Sequence, residues 1–288
     1  MAITLDPDLV TRLVRETLAE DRAADDATTL ALVTPDQRGR GAIIAKAPGV
    51  IAGLAFAQSA FRQVDADVVW RPATVDEEAV VPGDTVAIVE GSLGGLLRAE
   101  RTALNFLTHL SGIATSATAI VELLEGTGCR LRDTRKTIPG LRLAEKYAAQ
   151  TGGAETFRTD LADAVLIKDN HLAAVRGRGL GIADAVRLAR ETSPGLRIEV
   201  EVTSIEEARE AIESGAGELL LDNMTPAEIR AIVKLAKDHD PHPLLEASGG
   251  ITAANAREYA ETGVDFISIG AITHSAAALD LSLDIETA

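Results

Sequence analysis

The sequence is poor in aromatic residues, in cysteine and in metal-ligand patterns, and each shortage excludes a class of protein. Aromatic residues make up only 3% of the 288 residues, so the core has to be built from Ala, Val, Ile and Leu. Such a core suits parallel strands that are covered by helices. Cys129 is the only cysteine, which excludes an intramolecular disulfide. The five histidines lack metal-ligand spacing, so we expect no structural zinc site.

Positive charge and long apolar runs are also scarce. The formal net charge is −16. An acidic surface repels nucleic acid and anionic membranes, so we expect neither as a partner. The N-terminus lacks the apolar region of a signal peptide, and no stretch approaches the roughly 20 apolar residues of a membrane span. We therefore expect a cytoplasmic protein.

Six basic residues nevertheless lie close together, offset only by Asp133 and Glu145. They are Arg130, Arg132, Arg135, Lys136, Arg142 and Lys146. A cationic cluster in an acidic protein predicts a binding site for a small anion. The alternative is a solvated face whose charges form surface ion pairs.

The first part of the chain mixes helices with short strands. Short β-like runs over residues 41–89 are punctuated by turns. A helix is predicted from about Leu96 to Leu110, where Ser111-Gly112 ends it. We expect an α+β domain over residues 1–112, joined by the C-terminal segment 275–288.

Residues 113–274 alternate short apolar strands with helices, which predicts a parallel sheet with right-handed crossovers. The absence of a dinucleotide-binding fingerprint favours an α/β barrel over an open sheet. The predicted strands lie near 129–133, 163–168, 197–202, 218–222, 244–247 and 264–269. The predicted helices lie near 141–151, 183–192, 204–214, 225–237, 252–262 and 273–280.

Active sites of barrels form at the carboxyl ends of the strands, and these strands end in charged, hydroxyl or glycine residues. The ends are Asp133-Thr134-Arg135-Lys136, Lys168-Asp169, Glu199 with Glu201, Asp222, Ser248-Gly249-Gly250 and Gly270. Glu199 and Glu201 share a face, because strand residues two apart point the same way. Buried carboxylates need cations, which Lys136, Lys168 or a metal ion could provide. The alternative is an ion-pair network that holds the barrel closed.

Two glycine loops on the last two strands favour phosphate binding. Ser248-Gly249-Gly250-Ile251 precedes Thr252 and a predicted helix, and Gly270-Ala271 opens the last helix. Backbone N–H groups and a helix N-terminus bind phosphate well, although a single Gly-Gly is often only a turn. The glycine loops, the basic residues and the acids at the strand ends together suit a substrate with a sugar 5-phosphate, a diphosphate that leaves with Mg²⁺, and an anionic acceptor.

The chain resembles the quinolinate phosphoribosyltransferase family, the decarboxylating nicotinate-nucleotide pyrophosphorylases of NAD synthesis. The matching stretches run in order along nearly the whole chain and are specific together, although each alone is not. They are Glu100–Phe106 with Leu110–Thr115, Asp133–Thr137 with Pro139–Arg142 and Glu145–Ala148, Leu166–His171, Glu199–Val202, Leu221–Asn223, Ser248–Ile251 and Gly270–Ser275.

The resemblance implies an α/β fold, an incomplete TIM-like α/β barrel with an N-terminal α+β sandwich domain, in a homodimer with shared active sites. Whether the dimers assemble into larger oligomers is left open. It implies transfer of a phosphoribosyl group from phosphoribosyl diphosphate to quinolinate, a pyridine carboxylate, with loss of carbon dioxide. Arg101 would act in the neighbouring subunit's site.

The resemblance also implies roles for named residues. Lys136, Lys168, Glu201 and Asp222 match catalytic positions, and Glu201 with Asp222 would engage Mg²⁺, indirectly. The matching substrate-binding positions are Arg101, Arg135, Phe157, Arg158, His171, Glu199, Ser248, Gly249, Gly250, Gly270 and His274.

Phe157 departs from the family, which has a histidine there, and Ala154 replaces a third glycine. Phenylalanine cannot donate a hydrogen bond to an acceptor carboxylate, a contact worth roughly 1.5–3 kcal/mol. The departure indicates either a paralogue that uses a different aromatic acid or a tolerated change in an enzyme that still uses quinolinate.

Three other hypotheses remain open at this point. Lys168 could be the nucleophile of a Schiff-base aldolase or lyase. The chain could bind a phosphorylated ligand without catalysis. It could also be a paralogue attached to metal transport.

Overall fold

The structure is a computed structural model, and it describes residues 3–287. Residues 1, 2 and 288, which end the predicted domain ranges, lie outside the described residues. The chain forms two compact units. The barrel unit comprises Ala119–Arg142 and Ala154–His274, and the N-terminal unit comprises Ile3–Thr118, Leu143–Gly153 and the described part of Ser275–Ala288. The predicted boundary between residues 112 and 113 stays a prediction.

The N-terminal unit contains a four-stranded antiparallel sheet and a small two-stranded one. The strands are β1 (Arg38–Ala45), β2 (Gly49–Val50), β3 (Val69–Pro72), β4 (Ala79–Val80), β5 (Thr85–Ser92) and β12 (Leu281–Thr287). The larger sheet has the order β12-β1-β5-β3, and β2 pairs with β4. Burial alternates along β1, so one face of the sheet packs on the core.

Helices cover this sheet: α1 (Pro7–Glu20), α2 (Ala27–Leu32), α3 (Leu54–Val64) and α4 (Leu93–Leu124), with a short 3₁₀ turn at Ala23–Asp25. Helix α1 begins where Asp6 accepts a hydrogen bond from the amide of Asp8 and Pro7 occupies the first turn. It buries Val10, Leu13 and Val14. Helix α3 lies in a stretch for which only short β-like runs were predicted.

Helix α4 does not end at Ser111-Gly112, so that prediction was wrong. The helix continues to Leu124, and its full length from Leu93 is 32 residues. Gly112 serves close packing instead: a Cβ there would collide with the backbone carbonyl of Ala277. A glycine can therefore mark a place where two backbones approach rather than the end of a helix.

Helix α4 also corrects the expectation that no stretch approaches a membrane span. By length and composition alone it is long and apolar enough to cross a membrane, with a mean hydropathy of 1.3 in its most apolar window. Half of that window is buried inside the protein. Leu96, Leu107, Leu110 and Ile113 are fully buried, as in a core helix.

The barrel unit is built on a six-stranded parallel sheet, as predicted. Its strands are β6 (Arg130–Arg132), β7 (Val165–Ile167), β8 (Ile198–Val202), β9 (Glu218–Asp222), β10 (Leu244–Ser248) and β11 (Phe266–Ser268). Their order is β6-β11-β10-β9-β8-β7. Strand β6 is also joined to Glu155 by a single parallel bridge. The predicted incomplete α/β barrel is thereby confirmed.

The helices after α4 follow the strands in alternation. They are α5 (Arg142–Thr151), α6 (Asp169–Arg176), α7 (Ile182–Thr192), α8 (Ile205–Glu213), α9 (Pro226–Lys237), α10 (Ala256–Ala260) and α11 (Ala271–His274). Four predicted helices are confirmed to within about two residues, the normal scatter of helix ends. Helix α6 was not predicted, and α10 is shorter than expected. The helix predicted over 273–280 was wrong, because α11 ends at His274.

Candidate active site

The carboxyl ends of three adjacent strands bring together a cation and two acids. Lys168 follows β7, Glu201 lies near the end of β8 and Asp222 ends β9. The Nζ of Lys168 is 3.9 Å from Oε2 of Glu201. Parallel strands end at one rim of the sheet. The structure therefore brings Lys168, Glu201 and Asp222 to one rim, whereas Lys136, which was expected to converge with them, lies beside Gly270 and His274. That all four residues line one active site stays a prediction.

The electrostatic setting of Glu201 is mixed. Partial burial raises its pKa above the ordinary value, and the charges of Asp222 and Asp169 add to that rise. Lys168 and the amide of Asp169, 3.5 Å from Oε1, act in the opposite direction. Glu201 is thus a half-buried acid beside one cation and a second acid, a setting that suits a developing positive charge.

His171 is fixed by the first turn of α6. Its Nδ1 accepts a hydrogen bond of 2.9 Å from the amide of Lys168. In the neutral ring the proton is therefore on Nε2, which leaves an exposed donor at the rim. His171 and Lys168 form one local unit because the same turn carries both.

The loop after β10 has the backbone that its glycines predict. Gly249 and Gly250 have φ angles of 89° and 63°, where only glycine is unstrained. The amide of Asn223 donates a 2.8 Å hydrogen bond to the carbonyl of Ser248. A Cβ on Gly249 would collide with Asn223. Ser248 pairs with Asp222 in the sheet, so this loop lies next to the acids.

Lys136, Gly270 and His274 form a second group at the rim. A Cβ on Gly270 would come within 2.7 Å of Cδ of Lys136 and 3.2 Å of Nε2 of His274. The hydroxyl of Thr273 donates a 2.7 Å hydrogen bond to the carbonyl of Lys136. Gly270 therefore leaves room for two basic side chains above the end of β11.

Arg135 and Arg158 are close enough to repel one another. Burial lowers the pKa of Arg158 below its ordinary range, and the charge of Arg135 lowers it further, against the attraction of Glu199 and Asp163. The Nε of Arg135 is buried without a hydrogen-bond partner. Two neighbouring guanidinium groups with an unused donor suit a ligand that carries carboxylates.

The predicted cationic cluster is not one site, and that interpretation was wrong. Arg130 is exposed and paired with Glu155 at 2.6 Å, at the amino end of β6. Arg132 points into the barrel, and Lys146 is buried in the N-terminal unit. Strand alternation and the change of unit separate residues that are neighbours in sequence.

Glu199 lies in the barrel interior, with only 1% of its surface exposed. It belongs to an interior ion cluster made up of Arg132, Glu199, Glu218 and Glu246. Nη1 of Arg132 lies 2.7 Å from Glu246, 2.8 Å from Glu218 and 3.6 Å from Glu199. Burial raises the pKa of Glu199 well above its ordinary value; Glu246 and Glu218 add to the rise, and Arg132 and Arg158 oppose it. The cation beneath Glu199 is Arg132, which the sequence analysis had not proposed for it.

Sequence reasoning missed Arg132, Glu218 and Glu246 as partners. The available signal was a single glutamate in each of two strands that are otherwise apolar up to their last residue, ELLLD and LLEAS. Each glutamate implied a buried cation, because an unpaired buried carboxylate is costly. Nothing in the spacing identified that cation.

Phe157 is buried beside two arginines. The guanidinium carbons of Arg197 and Arg132 lie 4.7 and 5.2 Å from the centre of its ring. Arg197 also donates a hydrogen bond to the backbone carbonyl of Phe157. The ring is thus engaged in cation–π contacts within the protein.

Arg101 belongs to the N-terminal unit and lies exposed on α4. It lines a surface cavity with Thr17, Glu20 and Asp21. Among the predicted site residues it is the one that lies outside the barrel unit.

No group of three or more His, Cys, Asp and Glu side chains that could hold a metal ion is found within residues 3–287. Glu201 and Asp222 are near enough to influence each other. Mg²⁺ is commonly bound by one or two carboxylates together with substrate phosphates. The two acids therefore fit an ion that arrives with a diphosphate, rather than a resident metal.

Two family models match the chain. The one described as "Quinolinate phosphoribosyl transferase, C-terminal domain" covers residues 113–284, and the one described as "Quinolinate phosphoribosyl transferase, N-terminal domain" covers residues 26–111. Together they account for most of the sequence.

Curated relatives and solved structures agree. Nicotinate-nucleotide pyrophosphorylase [carboxylating] of Mycobacterium leprae is 40% identical over 94% of this chain and 95% of its own length. The human protein of the same name is 40% identical over 99% and 94%. The structure of the nicotinate-nucleotide pyrophosphorylase from Francisella tularensis is 38% identical, with a TM-score of 0.92 over 98% of both chains. The chain belongs to the quinolinate phosphoribosyltransferase family.

Proposed function

We propose that the chain transfers the phosphoribosyl group of phosphoribosyl diphosphate to the ring nitrogen of quinolinate. The products are nicotinate mononucleotide, carbon dioxide and pyrophosphate, and the pathway is pyridine nucleotide biosynthesis. The observation that carries the proposal is the meeting of Lys168, Glu201 and Asp222 at one rim, beside two glycine loops. That arrangement occurs in a chain of this family.

The glycine loops and nearby basic residues are suited to the phosphates. Backbone amides at Gly249, Gly250 and Gly270 can approach a 5-phosphate closely. Lys136 and His274 lie above Gly270, and Lys136 and Lys168 provide positive charge for the departing diphosphate. Charge neutralisation of a leaving group is a large catalytic effect.

The acids act on the sugar. As the bond between the anomeric carbon and the diphosphate oxygen breaks, the ring nitrogen's lone pair forms the new C–N bond. Positive charge develops on the ribose in between, and Glu201 and Asp222 stabilise it. The carboxylate next to the nitrogen then leaves as carbon dioxide. Its bonding electrons pass to the ring carbon, which the positive ring stabilises and which takes up a proton.

Arg135 and Arg158 are the proposed partners of the acceptor's carboxylates. Their mutual repulsion is relieved when a dianionic ligand binds between them. The engaged ring of Phe157 supports a role in packing rather than in contacting the acceptor. Quinolinate is accordingly the acceptor that the site favours.

Magnesium is the proposed metal, and Glu201 with Asp222 would engage it indirectly when it arrives with the diphosphate. When bound, it would neutralise charge on the leaving group. Removal of Mg²⁺ with EDTA is expected to stop turnover, and its return to restore it.

We also propose a cytoplasmic homodimer with shared active sites, in which Arg101 enters the neighbouring subunit's site. The exposure of Arg101 on α4 supports this. Cell fractionation checks the location, and sedimentation checks the assembly.

The experiment that tests the function is a pyrophosphate-release assay with phosphoribosyl diphosphate, Mg²⁺ and a panel of pyridine and benzoate acids. We expect release with quinolinate and little with benzoates. Release only with another acid would favour the paralogue hypothesis. Borohydride trapping of substrate on Lys168 would favour a Schiff-base enzyme, although half-exposed Lys168 paired with Glu201 lacks the desolvation that activates a lysine nucleophile.

A further inference from the structure

Arg132 occupies an unusual place at the end of β6. Its side chain is 3% exposed and crosses the barrel interior to glutamates on β8, β9 and β10. Its guanidinium also stacks on the ring of Phe266 on β11, 3.6 Å from the ring centre. One side chain thus contacts four of the other five strands of the sheet.

Strand β6 is short, and its backbone pairs at few positions. It pairs with β11 at three positions, from Arg130 to Arg132. On its other side a single bridge joins Arg132 to Glu155. It consists of two backbone hydrogen bonds, from the amide of Glu155 to the carbonyl of Leu131 at 2.8 Å and from the amide of Asp133 to the carbonyl of Glu155 at 2.9 Å. A three-residue strand at the edge of an incomplete barrel has few backbone hydrogen bonds. Its side chains must therefore contribute much of its anchoring.

The segment that follows β6 carries Arg135 and Lys136. We call this segment, residues 133–141, the rim loop. Its first residue, Asp133, accepts a 2.7 Å hydrogen bond from the hydroxyl of Thr156. Displacement of the end of β6 would move both basic residues, because they follow Arg132 by only three and four residues.

Apolar side chains in place of all four residues of the interior ion cluster could fill the barrel interior at lower cost. Burying an ion pair costs desolvation free energy that the pairing repays only in part. The best-attested advantage of buried ionic groups is a uniquely specified arrangement. The interior ion cluster is therefore better explained by positioning than by stability.

We propose that Arg132 is a positioning residue, which fixes the end of β6 through the interior ion cluster and so sets where the rim loop presents Arg135 and Lys136. The catalytic consequence rests on the proposed function, whereas the structural consequence does not.

The test compares Arg132→Lys with the matched control Arg130→Lys. Lysine keeps one positive charge at position 132 but lacks the planar guanidinium that lies over the rings of Phe266 and Phe157 while it pairs with the glutamates. Arg130 is on the same strand and also stacks on Phe266, at 4.2 Å, but it pairs with Glu155 outside the interior cluster. The first measurement is hydrogen–deuterium exchange of residues 133–141.

We expect exchange of the rim loop to rise about tenfold in Arg132→Lys, the scale of a weakened local contact. It should stay at the wild-type rate in Arg130→Lys. Glu246→Gln, which alters the nearest partner and keeps Arg132, should give a smaller rise in the same segment and guards against poor folding of Arg132→Lys. An unchanged rate in both Arg132→Lys and Glu246→Gln would overturn the proposal, as would an equal rise across the whole barrel unit.

Turnover provides the second measurement. We expect kcat/KM for pyrophosphate release to fall at least about tenfold in Arg132→Lys, because small displacements of positioned groups are costly. Arg132→Met should fall further, and Arg130→Lys should match the wild type. If the wild type released no pyrophosphate, the proposed function would be wrong. The hydrogen–deuterium exchange data would still decide whether Arg132 positions the rim loop.

Discussion

At the scale of single residues, Lys136 and Glu201 represent the two groups at the rim. Lys136 lies beside Gly270 and His274, and Glu201 pairs with Lys168. Lys136→Ala and Glu201→Ala should each lower kcat by about 10²–10³-fold, the usual cost of removing a group that stabilises transition-state charge. Circular dichroism should show an intact fold. Normal pyrophosphate release by both variants would show that the rim is not the active site.

Phe157 allows a second test at this scale. Histidine in its place would lose ring contacts with Arg132 and Arg197 and, if protonated, would add a third cation beside them. Phe157→His should therefore lower the melting temperature without raising turnover on quinolinate. Phe157→Leu, the control, should cost about 0.5–2 kcal/mol of unfolding free energy through the lost cation–π contacts. Faster turnover of quinolinate by Phe157→His would instead support a shifted acceptor.

At the scale of secondary-structure elements, Gly112 determines how α4 packs. Alanine favours a helix over glycine by about 1 kcal/mol. At position 112, however, its Cβ would collide with the backbone carbonyl of Ala277. We expect Gly112→Ala to lower the free energy of unfolding by about 1–3 kcal/mol, as overpacking does.

The control for Gly112→Ala is Gly177→Ala at the end of α6. Gly177 has a helical φ of −59° and its nearest contacts are at 3.5 Å. Urea unfolding should show no loss of stability there. Equal stability of Gly112→Ala and wild type would mean that the C-terminal segment does not approach α4 as the structure has it.

Asp65 follows α3 and binds Ser92, the residue before α4, and this contact predicts a pH dependence. Its Oδ2 accepts hydrogen bonds from the amide and hydroxyl of Ser92, at 3.0 and 2.8 Å. Burial raises the pKa of Asp65, but the hydrogen bonds from Ser92 and from the amide of Asp67, together with the charge of Arg38, outweigh it, so the pKa lies below its ordinary value of 3.8. The stabilisation is therefore present above that value and is lost as the pH falls through the lower folded-state pKa.

Asp65→Asn should lower the free energy of unfolding by about 1 kcal/mol at pH 7. The difference from wild type should close below pH 3.8. Asp67→Asn, an exposed neighbour, should show no such difference. Urea titrations at several pH values measure this difference in unfolding free energy. A difference between the wild type and Asp65→Asn that persists at about pH 2–3 would contradict the role of the Asp65 carboxylate.

Prediction from sequence succeeded where a local pattern has one physical cause. Strands such as DAVLIKD and ELLLDN are short apolar runs that end in charge, so their rim residues were placed correctly. It failed where the cause lies elsewhere in the chain. Gly112 has the local signature of a helix end, and only the approach of Ala277 shows why it is glycine. Likewise, nothing near residue 132 reveals the glutamates on three other strands.

At the scale of the whole molecule, the proposed shared site predicts complementation between subunits. Arg101→Ala and Lys168→Ala should each be inactive. After mixing and subunit exchange, half of the dimers are mixed and each has one intact site, so about one quarter of wild-type activity should return. Wild-type chains mixed with Lys168→Ala serve as the control. No recovery despite proven exchange would mean that Arg101 acts within its own subunit.

The central claim is that the barrel rim couples phosphoribosyl transfer to decarboxylation. Its most direct test supplies quinolinate labelled in the carboxyl group next to the nitrogen, together with phosphoribosyl diphosphate and Mg²⁺, and measures labelled carbon dioxide and pyrophosphate together. We predict equal amounts of both from the wild type and, in the same time, about 10²–10³-fold less of both from Lys136→Ala or Glu201→Ala. Pyrophosphate without carbon dioxide, or neither product from the wild type, would contradict the claim.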